Sequence, residues 1–282
     1  MYKVVGLGTM GCAIAEEFTA YPEYRVYKID SDIEERASLS IGKHGDMESY
    51  EKNLSKDEIE IYLRSIKKGD EVLFVLEGGE PISGASLSIL ETIKDAKVSV
   101  LYVLPDRDLC SLLQKRDDRI SFYVFQEYAR SGLFENLFLV DKSTVEQLIG
   151  DVSIQDHARE VAYFIAYIFA MINYFNHTEP ILCSEIKGNS TCRISSIGIC
   201  SLQSDTSMLF PLQSIKDCVF YYGIPEQELS ENTTLMREIK THVKDKNPGE
   251  SAGFSIFSTT FEKTLILSVL SSRDIQKLPK EF

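Results

Sequence analysis

Lys3-Val4-Val5-Gly6-Leu7-Gly8-Thr9-Met10-Gly11 and Leu76-Glu77-Gly78-Gly79-Glu80-Pro81-Ile82-Ser83-Gly84-Ala85 are the two stretches that decide how this chain is read. Each sets a glycine-rich turn directly after an apolar, strand-like run and before a helix-like one. Glycines at such a turn let backbone N–H groups approach a phosphate, and the helix that follows adds the positive end of its dipole. A tight turn that only packs strand against helix would need the same residues. One such turn is common, whereas two, 72 positions apart from Gly6 to Gly78, suggest a pocket gripped from neighbouring strands.

Working outward, Tyr2 to Val5 reads as a buried strand and Thr9 to Thr19 as a helix with Ile14, Ala15 and Phe18 on one side. Tyr24 to Ile29 is a second strand ending at Asp30, and the polar stretch Ser38 to Asn53 reads as a loop. Ser55 to Ile66 reads as a helix capped by Ser55 with Glu58 three residues on. Glu71 to Leu76 is a continuous apolar strand of the parallel, doubly covered kind. Ala85 to Ile93 is helical, Val98 to Leu104 is another buried strand, Leu137 to Val140 a further one, and Ser143 to Ile149 a short helix. The alternation predicts a Rossmann-like parallel sheet with helices on both faces over residues 1–150.

A helix from Ser153 to Phe175, roughly 35 Å long at its standard rise, forms a central connection over residues 151–178. Its latter half is apolar all round, which predicts burial on every side. Its apolar stretch, from Val161 to Phe175, is short of the ~20 residues a membrane span needs. Beyond Pro180 the runs Ile194 to Leu202, Val219 to Ile224, Ser251 to Ser258 and Lys263 to Ser271 read as strands. With helices near Ser214 to Tyr222 and Asn232 to His242, they predict a smaller α+β domain over residues 179–282.

The totals bound the function. A chain of 282 residues suits two cores. A formal charge of -13 with no basic cluster disfavours nucleic acid as a partner. The six cysteines, Cys12, Cys110, Cys183, Cys192, Cys200 and Cys218, show no metal spacing and read as reduced core thiols. The histidines have no partner pattern for catalysis or metal binding. The chain opens on a strand-like segment without a basic region and apolar leader, so the expected location is cytoplasmic.

Gly6, Gly8 and Gly11 with Asp30 at the end of the second strand satisfy a dinucleotide fingerprint, which supports an NAD(P)-dependent oxidoreductase. The second turn shifts the balance. With it, the chain resembles the FtsZ/tubulin superfamily, which carries glycines after its first strand and a GGGTG(T/S)GA signature after a later one. Gly78 to Ala85 matches that signature in length. The stretch from Asn136 to Leu148 is similar to the segment leading toward the guanine, and Ala252 to Ser272 to the closing hairpin of the family's second domain. The resemblance implies GTP or GDP held through Gly6, Gly8, Thr9, Met10, Gly11, Gly78, Gly79, Ser83 and Gly84, with Asp141 and Lys142 near the base. It also implies head-to-tail self-association. In this chain Glu80, Pro81 and Ile82 replace the signature's central glycine, threonine and glycine. Glu80 adds negative charge and Pro81 removes an N–H donor. The acidic loop that completes the family's hydrolytic site corresponds to Leu182 to Ser190, where Glu185 stands without its usual second carboxylate. Three readings stay open: a tubulin-like scaffold with GTP or GDP and little or no hydrolysis, the oxidoreductase, and an interaction protein that binds no nucleotide.

Overall fold

The computed structural model describes residues 1–35, 37–184, 191–202 and 206–279. The chain divides into two units, Met1–Tyr167 and Ile168–Phe282.

In the first unit the elements run β1 (Tyr2–Leu7), α1 (Gly8–Glu17), β2 (Tyr24–Asp30), β3 (Ser38–Ser40), α2 (Met47–Asn53), α3 (Lys56–Leu63), β4 (Glu71–Glu77), α4 (Ser86–Thr92), β5 (Lys97–Leu104), α5 (Leu112–Ser131), β6 (Asn136–Asp141) and α6 (Lys142–Ile149). The six strands are parallel in the order β3-β2-β1-β4-β5-β6. The predicted Rossmann-like layer is therefore present. Its central strands bury both faces, with Val4, Val5, Phe74, Val75, Val100 and Leu101 fully shielded from solvent, which is why they read as unbroken apolar runs. Against the sheet, α1 lays down Met10, Ile14 and Ala15, with Phe18 just beyond its end, at the spacing of one helical face.

Several expectations are corrected here. Ser38 to Asn53 is not all loop, since it holds β3 and α2, the latter capped by Asp46, whose carboxylate accepts from the Ser49 N–H at 2.8 Å. Ser55 does stand at the start of α3 but makes no side-chain capping bond there. The turn at Pro81–Ala85 is a 3₁₀ segment, and α4 begins only at Ser86.

The long helix α7 (His157–Asn176) begins four residues later than expected and includes the position at which the two units divide. It is not buried all round. Val161, Ile165, Ile168, Ile172 and Phe175 are shielded, but Tyr163 and Tyr174 are exposed. The tyrosine hydroxyl tolerates water at the end of an apolar ring, so an aromatic-rich sequence overstated the buried stripe. Among the described residues no helix is long and apolar enough to cross a membrane.

The second unit continues with β7 (Leu182–Ser184), β8 (Ile194–Cys200), β9 (Ser207–Met208), β10 (Asp217–Pro225), α8 (Glu226–Glu231), α9 (Leu235–Lys246), β11 (Ser251–Thr259) and β12 (Leu265–Ser272). Its sheet order is β8-β12-β10-β11-β7, with β9 on β8. Among the described residues of this unit β10 and β11 run parallel, and the other neighbours are antiparallel. The helix expected at Ser214 to Tyr222 is absent, because Cys218, Phe220 and Tyr222 alternate inward as β10. The last two strands form no hairpin. Each pairs with β10, one on either side.

All six cysteines are free, and Cys12 and Cys218 are buried, but Cys183 is exposed rather than a core thiol.

Candidate functional site

Leu7 pairs with Leu76 in the register of β1 and β4, so the two chains leave the sheet side by side and both glycine turns lie at the same edge. Gly8 has φ +75°, a conformation that glycine adopts without penalty. It opens α1, whose N-cap is Leu7, a residue with no side-chain acceptor for the helix's first N–H groups.

A side chain of the other turn, Glu80, lies against this helix start. The backbone N–H groups of Thr9 and Met10 lie beside the Glu80 carboxyl and favour its ionised form. Glu80 Oε2 occupies the space a Cβ on Gly8 would take, and Ile82 Cγ2 would lie 2.8 Å from such an atom. Burial, then the neighbouring carboxylates Glu77 and Asp30, push Glu80 up to about 8 against the downward pull of the two N–H groups. Glu77 is itself buried and raised by that burial, with Lys142 Nζ 3.5 Å away as its counter-charge.

The remaining residues singled out from the sequence are placed as follows. Gly6 and Gly11 lie where β1 meets α1, with the Gly11 carbonyl packed against Gly6 and the Val75 carbonyl against Gly11. Gly78 donates its N–H to Val103 O at 2.9 Å and lies so close to the Tyr102 hydroxyl and Asp118 that a side chain would collide with both. Gly79 packs on the Gln114 carbonyl and Gly84 on the Met47 backbone. Ser83 is buried and donates its hydroxyl back to Glu80 O at 2.7 Å, closing the turn upon itself. Asp141 accepts from the Thr144 hydroxyl at 2.8 Å, and burial raises it. Asp30 accepts from the Ser31 N–H at 2.7 Å. Glu185 lies outside the described residues.

What sequence reasoning passed over is α5. Its Asp118, fully buried, accepts from Arg107 Nη1 at 2.5 Å and from the Tyr102 hydroxyl at 2.9 Å, clamping the second turn from below. The signal was present: Ser111 and Gln114 form a reciprocal capping box, and Gly132 ends the helix with φ +86°. A cavity of about 600 Å³ lies among α2, α4 and α5 and is lined by Met47, Gly84, Leu87, Arg116, Ile120 and Phe125 among others. Among the described residues no cluster of three His, Cys, Asp or Glu side chains is placed to hold a metal.

No family model and no curated protein matches the sequence. Solved structures do match. CetZ2 from Haloferax volcanii, a GTPγS-bound protofilament, superposes with a TM-score of 0.73 at 14% identity, covering 97% of this chain and 94% of that one. A GTPγS-form protofilament of TubZ from Bacillus thuringiensis serovar israelensis gives 0.70 at 13% identity, covering 96% and 86%. An empty FtsZ dimer from M. jannaschii gives 0.68 at 13%, covering 96% and 88%. The chain has the FtsZ/tubulin fold; at these identities the likeness is one of fold.

Proposed function

We propose that this chain is a tubulin-like cytoskeletal or scaffold protein that associates head to tail with copies of itself. The neighbours in fold are described as dimers, protofilaments and filaments, and a heterologous contact that does not close builds an open polymer. The observation that carries the reading lies beside the glycine turns. Leu109 and Leu112 are 85% and 87% exposed, and the adjoining Leu113 is 45% exposed. They follow β5 and therefore share the C-terminal edge of the parallel sheet with the turns after β1 and β4. Three leucines left in water within five positions are apolar surface of the sort that marks a protein contact.

The reading assigns no hydrolytic step to any described residue. Its test is sedimentation and negative-stain microscopy of the wild-type chain and the double variant Leu109→Asp/Leu112→Asp, without nucleotide and with GTP, GDP or NAD. Concentration-dependent linear assembly of the wild type, lost in the variant at unchanged melting temperature, is the expected result. A wild-type chain that stays monomeric at every concentration and with every ligand refutes the proposal, and stabilisation by NAD alone would instead favour the oxidoreductase reading.

A further inference from the structure

We infer that Glu80 is a tethered substitute for a nucleotide phosphate: its carboxyl group fills the anion position at the start of α1 and closes the glycine pocket to nucleotides. A phosphate bound at a helix N-terminus needs free N–H groups at the first turn and room for its oxygens against the backbone. Here the first-turn N–H groups include those of Thr9 and Met10, and both act on the Glu80 carboxyl beside them. The room is the space beside Gly8, and Glu80 Oε2 fills it. Pro81 has no N–H to offer from the second turn, and the Ser83 hydroxyl donates inward to the Glu80 carbonyl. An incoming phosphate would also meet Glu77 and Asp30, whose carboxylates already act on Glu80. The residues present do not fit a guanine nucleotide, and they fit the pyrophosphate of a dinucleotide no better, because that group would need the same two donors.

The side chain is held in place rather than merely nearby. Its residue sits on a turn fixed by the Ser83 N–H bond to Glu80 O at 3.0 Å and by the close packing of Gly78 and Gly79 on Asp118. A group presented by such a turn acts at an effective concentration in the millimolar range or above, so a nucleotide would have to displace it in order to bind.

The inference rests on the tubulin-like reading only for the identity of the excluded ligand, and its test does not depend on assembly. Binding of GTP, GDP, NAD and inorganic pyrophosphate is measured by calorimetry on the wild-type chain and on Glu80→Gln, Glu80→Ala and Glu80→Gly, with folding checked by circular dichroism. The wild type and Glu80→Gln, which keeps the acceptor in place, should show no binding at millimolar ligand. Glu80→Ala and Glu80→Gly should lose thermal stability and recover part of it with pyrophosphate, with affinity at least tenfold above wild type. Micromolar GTP binding by the wild type overturns the inference, as does a folded Glu80→Gly chain that gains no affinity for any of the four. Should the small variants not fold, amide exchange in the wild type decides. Slow exchange at Thr9 and Met10, kept in Glu80→Gln, is expected; exchange at the rate of free solvent-exposed amides would overturn it. Failure of the wild type to polymerise would remove the proposed function and leave these readouts standing.

Discussion

Replacing Glu80 by Gln should flatten the pH dependence of stability in the alkaline direction. The folded chain holds the Glu80 proton up to about pH 8, against an ordinary value of 4.5. A carboxyl raised in this way binds its proton more tightly folded than unfolded, so stability is full below the ordinary value and falls as pH rises from there through 8. A shift of that size has a ceiling of about 5 kcal/mol at 1.36 kcal/mol per pKa unit. The carboxyl keeps some contact with water, and screening brings the expected loss down to about 2 kcal/mol. Glutamine has the same shape, keeps an amide oxygen beside the Thr9 and Met10 N–H groups, and does not ionise. At pH 5 the variant and the wild type should melt together. At pH 9 the variant should be more stable by about 2 kcal/mol, which for a chain of this length is a rise of roughly 3–4 °C in melting temperature. Glu77 and Asp141 are also raised by burial and tilt both profiles in the same sense, so the difference between the two profiles is the quantity to read. Scanning calorimetry from pH 5 to 9 provides it. Parallel profiles, or a variant less stable than wild type at pH 9, would refute the reasoning, because either would mean that the ionised carboxylate stabilises the helix start more than its surroundings oppose it.

Removing Asp118 with Asp118→Ala leaves the Arg107 guanidinium and the Tyr102 hydroxyl without the carboxylate they share, and urea unfolding should register a loss of about 3–5 kcal/mol; a loss below about 1 kcal/mol would show the two donors repartnering. Gly8→Ala sets a Cβ at φ +75° against Glu80 Oε2, with a backbone cost of about 1–2 kcal/mol before the collision is counted. Combining it with Glu80→Ala should cost less than the two single changes together, and strict additivity in a double-mutant cycle would mean the two turns do not touch. Ser111→Ala removes the cap of α5 at a cost of about 1 kcal/mol, and faster amide exchange confined to Gln114 and Lys115 is the accompanying signature.

The parallel layer was legible because strands covered on both faces, such as Val72 to Leu76, leave continuous apolar runs that no surface element imitates. The glycine turns were legible for a similar reason: close backbone approach admits few residues. Elsewhere the signals competed. Val219 to Ile224 read as a strand while Ser214 to Tyr222 read as a helix over the same residues, and pairing of β10 with strands on both sides settled it for the strand. The helix α5 was passed over although its cap and its terminal glycine stand in plain view, because its charged residues, Arg116 to Arg119, hide the apolar face formed by Phe122, Phe125 and Ala129. The partner of the α1 N–H groups was the least legible feature. Glu80 is 72 positions from Gly8 in sequence, and only the β1–β4 register brings them together; the sequence could say that Glu80 spoils a phosphate loop, but not that it takes the phosphate's place.

The order of strands in the second unit has a consequence for how the chain acquires its structure. In the first unit each new parallel strand joins a partner already made, β4 on β1 included, so the layer grows as the chain lengthens. In the second unit β8 pairs along its whole length with β12, so Ile194 to Cys200 must wait for Ile266 to Ser272. Contacts between such distant segments are slow to form. A chain emerging from the ribosome should therefore carry a finished first unit while the second still shows open strand edges, and pulse-labelled amide exchange should find β12 and β8 gaining protection in the same late step.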